Sequence, residues 1–365
     1  ITWSNELTAH VIELKTTGPA RSLAPLPALF QESVRRINSI LESEGCRLLP
    51  SAMHPWMDPN REMVIWPHDY SVVYEAFNRI FDCRGHGWAN LQAVHLNLPF
   101  ADDAEFARLH AAIRVLLPIL PALAASSPIF EGRLSGVLDT RLDVYRNNCR
   151  KIPLAAGRVI PEPVFSAADY RGQILEPLWA QIAPHDPEEI LQEEWLNSRG
   201  AIARFERSTI EIRVLDVQEC PQADVAVCAL VADVLERLSS GHFGDPKLLE
   251  AWGTEPLAEM LLSTIRDAEQ AVLRDPAYLR LFGIEGRAPL TAGEVWRHLA
   301  RAVGPSARSA DPSVKPAVDT ILERGPLSRR ILAAVGPAPS RERMALVYRD
   351  LADCLAAGRM FVGLE

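Results

Sequence analysis

Apolar and polar residues alternate over residues 9–15, 94–98 and 210–215, the period of two that a half-buried strand requires. Elsewhere helical spacing dominates. Phe30, Val34, Ile37 and Leu41 mark one helix, and Val73, Phe77 and Ile80 a second. A third carries Phe106, Leu109, Ile113 and Leu116, opened by Asp102 and Asp103 and stopped or kinked at Pro118. From about Pro221 onward the pattern is almost wholly helical: Val227, Leu230, Val231 and Val234, then Leu257, Leu261, Ile265 and Val272. Thr291 and Glu294 form a Thr-x-x-Glu capping box ahead of Val295 and Leu299. Residues 305–340 are rich in Pro, Ser and Arg and predict shorter helices. Strands separated by long helices, with no Gly-rich turn after any of them, predict an α+β fold, a sheet with helices on one face, rather than a Rossmann unit. There is no internal repeat and no long linker, so residues 1–240 are expected to form the body and residues 241–365 a helical extension packed on it.

Composition narrows the function classes. With 365 residues, 48% hydrophobic and 23% charged, the chain can bury a large core, which excludes disorder, collagen and small disulfide scaffolds. Its longest uncharged stretch, residues 115–130, is broken by Pro118, Pro121 and Pro128 and falls short of the ~20 apolar residues of a spanning helix. No membrane passage is expected. A net charge of -9 repels phosphate backbones and argues against generic nucleic-acid binding, while a small anionic substrate, or one carried with metal ions, suits it. Cys46, Cys83, Cys149, Cys220, Cys228 and Cys354 show no CxxC pair or zinc spacing, and read as reduced thiols of a cytoplasmic protein. The chain opens on Ile1, and residues 1–20 lack the basic start and apolar run of a signal peptide, which reads as a trimmed or incompletely numbered chain rather than a secreted one.

Five segments carry candidate chemistry. In residues 91–100 the strand period puts Val94, Leu96 and Leu98 on one face and His95 with Asn97 on the other; the imidazole is either a sheet-surface hydrogen-bonding group or a ligand. In residues 208–216, Ile210, Ile212 and Val214 point inward while Glu211 and Arg213 share the opposite face. They form either a surface ion pair or a carboxylate for a metal beside a guanidinium for a phosphate. Glu6 and Glu13 lie near the start; seven apart, they share a site only if Glu6 precedes the strand or a bulge intervenes. Residues 125–146 concentrate Arg133, Arg141 and Arg146 on a Gly- and Ser-containing segment, either as solvated charges or as a grip for a substrate carboxylate. Residues 195–204 add Arg199 and Arg204 just before the Glu211 strand. No Walker loop, HExxH, GxSxG or Cys/His nucleophile pattern occurs.

In this order the segments resemble the second glutamate-cysteine ligase family, the bacterial carboxylate-amine ligases with a glutamine-synthetase-like fold. The resemblance rests on His-Val-Ile-Glu-Leu-Lys-Thr (10–16), Met53-His-Pro-Trp56, Val94-His-Leu-Asn97, Ala125-Ser-Ser-Pro128 with Glu131-Gly-Arg133, residues 195–199, and Thr-Ile-Glu-Ile-Arg-Val-Leu-Asp (209–216), and it covers roughly residues 1–240. It implies a curved antiparallel sheet that binds ATP and Mg²⁺, phosphorylates a glutamate side-chain carboxylate, and lets an amine displace the phosphate. By the same resemblance Glu13, His95 and Glu211, with Glu6 as a fourth, would be metal ligands. Arg213, Arg199 and Arg204 would meet ATP phosphates, with Arg213 and Glu211 at the catalytic centre, and Arg133, Arg141 and Arg146 would hold a substrate carboxylate. The partners implied are amino acid and amine substrates, and the helical extension serves either as packing or as a contact in a homo-oligomer. Family members open with a Glu-x-Glu strand carrying two metal carboxylates, which residues 1–20 do not contain. Beside the ligase, two other readings stay open: a non-catalytic member that binds nucleotide or amino acid as a partner subunit, and a metal-dependent amide hydrolase.

Overall fold

The computed structural model describes residues 1–364. Its strands are β1 (Thr2–Asn5), β2 (Ile12–Lys15), β3 (Ala93–Pro99), β4 (Ile129–Phe130), β5 (Arg133–Leu134), β6 (Ala201–Arg204), β7 (Thr209–Asp216), β8 (Val272–Leu273) and β9 (Leu290–Thr291). All pairings between strands are antiparallel. They fall into four separate pieces, β1-β2, β3-β7-β6, β4-β5 and β8-β9, instead of the one curved sheet that the resemblance implies. β3 and β7 lie where alternation places them. β6 escapes it because all four of its residues are buried, which erases the period of two.

One face of the three-stranded piece is apolar. Ile210, Ile212, Val214, Ala201 and Ala203 join a hydrophobic cluster that takes in the helices Asp103–Leu116, Pro221–Ser239, Thr254–Asp267 and Ala292–Ala302 and ends at Ile321. This cluster crosses residue 240, so the body and the residues after it share one core. The ends of the helices follow local chemistry. The Asp102 carboxylate accepts from the Glu105 amide at 2.8 Å and opens the first helix. That helix stops at Leu116, ahead of Pro118, whose ring cannot donate and crowds the preceding turn. Carbonyls near this C-terminus are taken from the far end of the chain: Tyr278 donates to Val115 O and Trp296 Nε1 to Ile119 O, each at 2.7 Å. The Thr291–Glu294 capping box is present. The helices Leu327–Val335 and Arg341–Ala357 form a second cluster with Ile129 of β4 and with Phe361. Among the described residues no helix is long and apolar enough to cross a membrane.

Candidate active site

The polar face of β3 and β7 is the opposite side of that same sheet. Asn97 of β3 lies directly across from Glu211 of β7, so both side chains rise from one face, and His95, two residues from Asn97, joins them. His95 Nδ1 is 3.6 Å from Glu211 Oε1. Between these strands the register slips: Val94 pairs with Leu215 but Leu96 with Ile212, so Arg213 and Val214 together oppose the single residue His95. This is a β-bulge, and bulges re-aim side chains. Here the slip lies at Arg213.

Glu211 is nearly buried and bridges two guanidinium groups. Arg213 Nε donates to its Oε1 at 2.6 Å, and Arg204 Nη1 of β6 is 3.6 Å from its Oε2. Burial pushes the Glu211 pKa up, but Arg213, His95 and Arg204 together outweigh that and hold it below the usual carboxylate value. The imidazole of His95 moves the other way: crowding by protein, then the Arg213 charge, lowers it to about 4. Its side chain keeps 42% of its surface open to solvent, which moderates the desolvation, and the ring is neutral at pH 7.

The hairpin β1-β2 brings the remaining acids. Ser4 pairs with Glu13 across the hairpin, and Glu13 Oε2 accepts from Ser4 Oγ at 2.6 Å and from Lys15 Nζ at 2.7 Å. Burial raises the Glu13 pKa, but the Lys15 and Ser4 hydrogen bonds and the Lys15 and His95 charges bring it below its usual value. Glu6 lies in the loop between the strands, which resolves the odd spacing of the two acids. It forms no ion pair among the described residues; burial, then the Glu13 charge, raises its pKa, and Lys15 and Arg213 act on it from the other side. Glu6 therefore feels the charges of Glu13 and Arg213, and His95 those of Glu13, Glu211 and Arg213.

The other arginines are placed differently. Arg199, 2% exposed, is held by Glu162 through Nε at 2.6 Å and Nη2 at 2.8 Å, and by Leu154 O and Asn197 Oδ1 through Nη1. With its fork spent on its own chain, it ties segments together and does not face a ligand. Arg204, 6% exposed, is shared among Glu194, Glu206 and Glu211. Arg141, 3% exposed, faces Asp216 in the interior. Arg133 and Arg146 are exposed and pair with Glu131 and Asp143. The expectation of a three-arginine carboxylate grip is thus corrected: one member is internal, and the other two sit on separate surface ion pairs, because each has a nearer acidic partner. Residues that sequence reasoning passed over are Tyr145, whose hydroxyl donates to Ser198 O at 2.8 Å, and Asn197, whose carbonyl accepts from Arg213 Nη1 at 3.1 Å. Tyr74 also escaped; its hydroxyl accepts from Asn5 Nδ2 beside Glu6. None has a local signature, since each matters through a partner distant in the chain.

Carboxylates and a neutral imidazole are the donor types that divalent cations take, and the repulsion between Glu6 and Glu13 is of the kind that a cation relieves. Among the described residues no group of three or more His, Cys, Asp or Glu converges to hold a metal ion, and each Glu211 oxygen faces an arginine. The donor set fits such an ion in kind, with Glu6 its open member.

A small antiparallel sheet with helices on its apolar face and an acid–imidazole–arginine cleft on the other is the frame to which the comparisons attach. The profile of glutamate-cysteine ligase family 2 matches residues 2–350, and the chain belongs to that family. It is 33% identical over 360 residues to an uncharacterized protein of Archaeoglobus fulgidus, covering 98% of this chain and 88% of that one. It is 27% identical over 148 residues to a Rubrobacter xylanophilus protein named "Putative glutamate--cysteine ligase 2-3", covering 40% of this chain and 38% of the relative. A protein of Ectopseudomonas mendocina with a similar name, "Putative glutamate--cysteine ligase 2", is 25% identical over 237 residues, 63% of this chain and 54% of its own length. The family and these names support a ligase-type function.

Proposed function

We propose that the protein is an ATP-dependent carboxylate–amine ligase, forming an amide of γ-glutamyl type through an acyl phosphate, on a sheet of glutamine-synthetase-like type. The observation that carries this reading is the convergence of His95, Glu211 and Arg213 on one sheet face, with Glu6 and Glu13 in charge contact across the cleft. A carboxylate that attacks a γ-phosphate brings two anions together, so a ligase needs fixed cations where that charge builds. Arg213 meets that need. Its side chain is 16% exposed, it is ionised, and Glu211 and Asn197 orient it. Arg204 adds positive charge beside Glu211 from the neighbouring strand. Arg199 takes no part, because Glu162 already occupies its fork.

Glu6, Glu13, His95 and Glu211 are the residues that would hold Mg²⁺, which when bound would neutralise charge between the phosphate and the attacking carboxylate. Neutral His95 suits that neighbourhood, since an imidazolium would repel both Arg213 and a metal ion. The acidic lining also admits an ammonium group, the second partner of an amide ligase.

The test is ADP release with Mg²⁺ and ATP across a panel of amino acids and amines. Amine-dependent ADP formation is expected; nucleotide binding with no turnover for any pair would instead indicate a non-catalytic binding subunit, and amide cleavage without ATP a hydrolase.

A further inference from the structure

Pairing of β6 with β7 ends at Ala201, and the Gly200 amide before it donates to Val159 O at 2.7 Å, so the Arg213 carbonyl is left without a strand partner, and a buried backbone group without one is expensive. The Arg213 amide finds Gly200 O at 2.9 Å on the β6 side. Its carbonyl accepts from Arg141 Nη2 at 2.7 Å, from the short helix Thr140–Tyr145. Arg141 is itself fixed: its Nη1 faces Asp216 Oδ1 at 3.4 Å, and its amide donates to Ser127 Oγ. Asp216, fully enclosed, accepts from the Ser126 amide at 2.8 Å and from Ser127 Oγ at 3.0 Å. One turn further on, four residues along the same helix face, Tyr145 donates its hydroxyl to Ser198 O at 2.8 Å, next in the chain to the Asn197 carbonyl that accepts from Arg213 Nη1, and has Arg141 over its ring at 5.6 Å. The helix is anchored at its start by Asp139, whose Oδ1 accepts from the Leu142 amide.

We propose that Arg141 and Tyr145 are positioning residues for Arg213: Arg141 holds its carbonyl, which no strand partner takes, and Tyr145 holds the Ser198 carbonyl beside the Asn197 carbonyl that meets the guanidinium. The helix Thr140–Tyr145 then locks an irregular strand segment into one geometry, as a preorganised phosphate-facing cation requires. The inference rests on the reading that Arg213 meets nucleotide phosphate.

The probe is inorganic tripolyphosphate, titrated calorimetrically into the full chain, with ADP formation measured in parallel. Arg141→Gln would leave the Asp216 charge buried without its partner and put folding itself at stake, so Tyr145→Phe carries the test. Removing the hydroxyl that holds the Ser198 carbonyl loosens the Asn197 carbonyl beside it, which orients the Arg213 guanidinium, and should weaken tripolyphosphate binding about tenfold and raise KM for ATP by a similar factor. In an Arg213→Ala background the same substitution should change binding less than about twofold, an outcome that a merely structural tyrosine would not give. Equal losses in both backgrounds, or none in either, overturn the inference, as does a wild-type protein that does not bind tripolyphosphate. If binding follows this pattern but no amine supports ADP formation, the ligase reading falls and the positioning role stands. If amine-dependent ADP formation is present and Tyr145→Phe alters neither binding nor KM, the reverse holds.

Discussion

Arg199 separates what the chain pattern suggests from what the folded structure does with it. Replacing Arg199 by Met keeps the volume and removes the fork. Four hydrogen bonds go: two to Glu162, at 2.6 and 2.8 Å, one to Leu154 O at 2.9 Å and one to Asn197 Oδ1 at 3.1 Å. Asn197 Oδ1 still accepts from the residue 199 amide, and the Glu162 side chain, 37% exposed, turns partly to water. Breaking a buried pair by removing one partner costs about 3–5 kcal/mol, and these two escapes put this case near ~3 kcal/mol. With an unfolding entropy of about 2.1 cal/mol/K per residue, a chain of 365 residues loses roughly 4 °C in Tm. The assay pairs thermal and urea unfolding with KM for ATP. A drop in Tm with KM unchanged is expected; an unchanged Tm with a KM raised tenfold or more would mean that Arg199 reaches the nucleotide, and the reasoning here would fail.

Glu211→Gln should abolish ADP formation in a protein that stays folded by circular dichroism, because Arg204 keeps Glu206 and Glu194 and Arg213 keeps Asn197 O; full activity would remove Glu211 from the site. Since the folded pKa of Glu211 is lowered, wild type should lose this pair's stabilisation as pH falls below the ordinary carboxylate range, and the variant should not show that component. Asp139 is the opposite case: burial, then the Asp216 charge, raises its pKa well above the usual value, so its contribution to stability is present in acid and is lost as pH rises toward the folded pKa. Asp139→Asn, which can still cap the helix, should therefore flatten the decline of urea-unfolding stability from pH 4 upward; an identical slope in both proteins would refute the buried protonated acid. Gly200→Ala puts a Cβ 2.8 Å from Val214 Cγ1 and 3.2 Å from Val159 O, which should cost ~1–3 kcal/mol and weaken tripolyphosphate binding by shifting the segment that holds Arg213; unchanged binding would show that this close approach does not matter to the site.

The parts of the fold legible in the sequence are those where one side meets water. β3 and β7 have a wet face and a dry one, so alternation marks them and puts His95 and Glu211 each on the polar face of its own strand. β1, a four-residue strand with one aromatic among polar residues, and β6, buried throughout, give no such signal. For the arginines the difficulty is of another kind. Whether a guanidinium is open or spent depends on acids distant in the chain: Glu162 lies 37 positions before Arg199, and Asp216 lies 75 after Arg141. Residue type and local spacing are the same in both cases, so Arg199 and Arg213 look equivalent along the chain and differ only once it folds.

The bulge explains why the cleft has the charge order it does. In a regular ladder His95 would face a single residue of β7. The slip puts two residues there; the Arg213 amide bonds Gly200 O, its carbonyl goes to Arg141, and its guanidinium lies on Glu211 at 2.6 Å and on the Asn197 carbonyl at 3.1 Å. Gly200 makes that last contact reachable, since any side chain there would strike Val214 and hold residues 197–200 away from β7. The positive centre of the site is thus set by backbone irregularity on a central strand, supported from a helix and a glycine-bearing turn that carry none of the acids. Substitutions in those supports should act on phosphate binding before they act on the acids across the cleft.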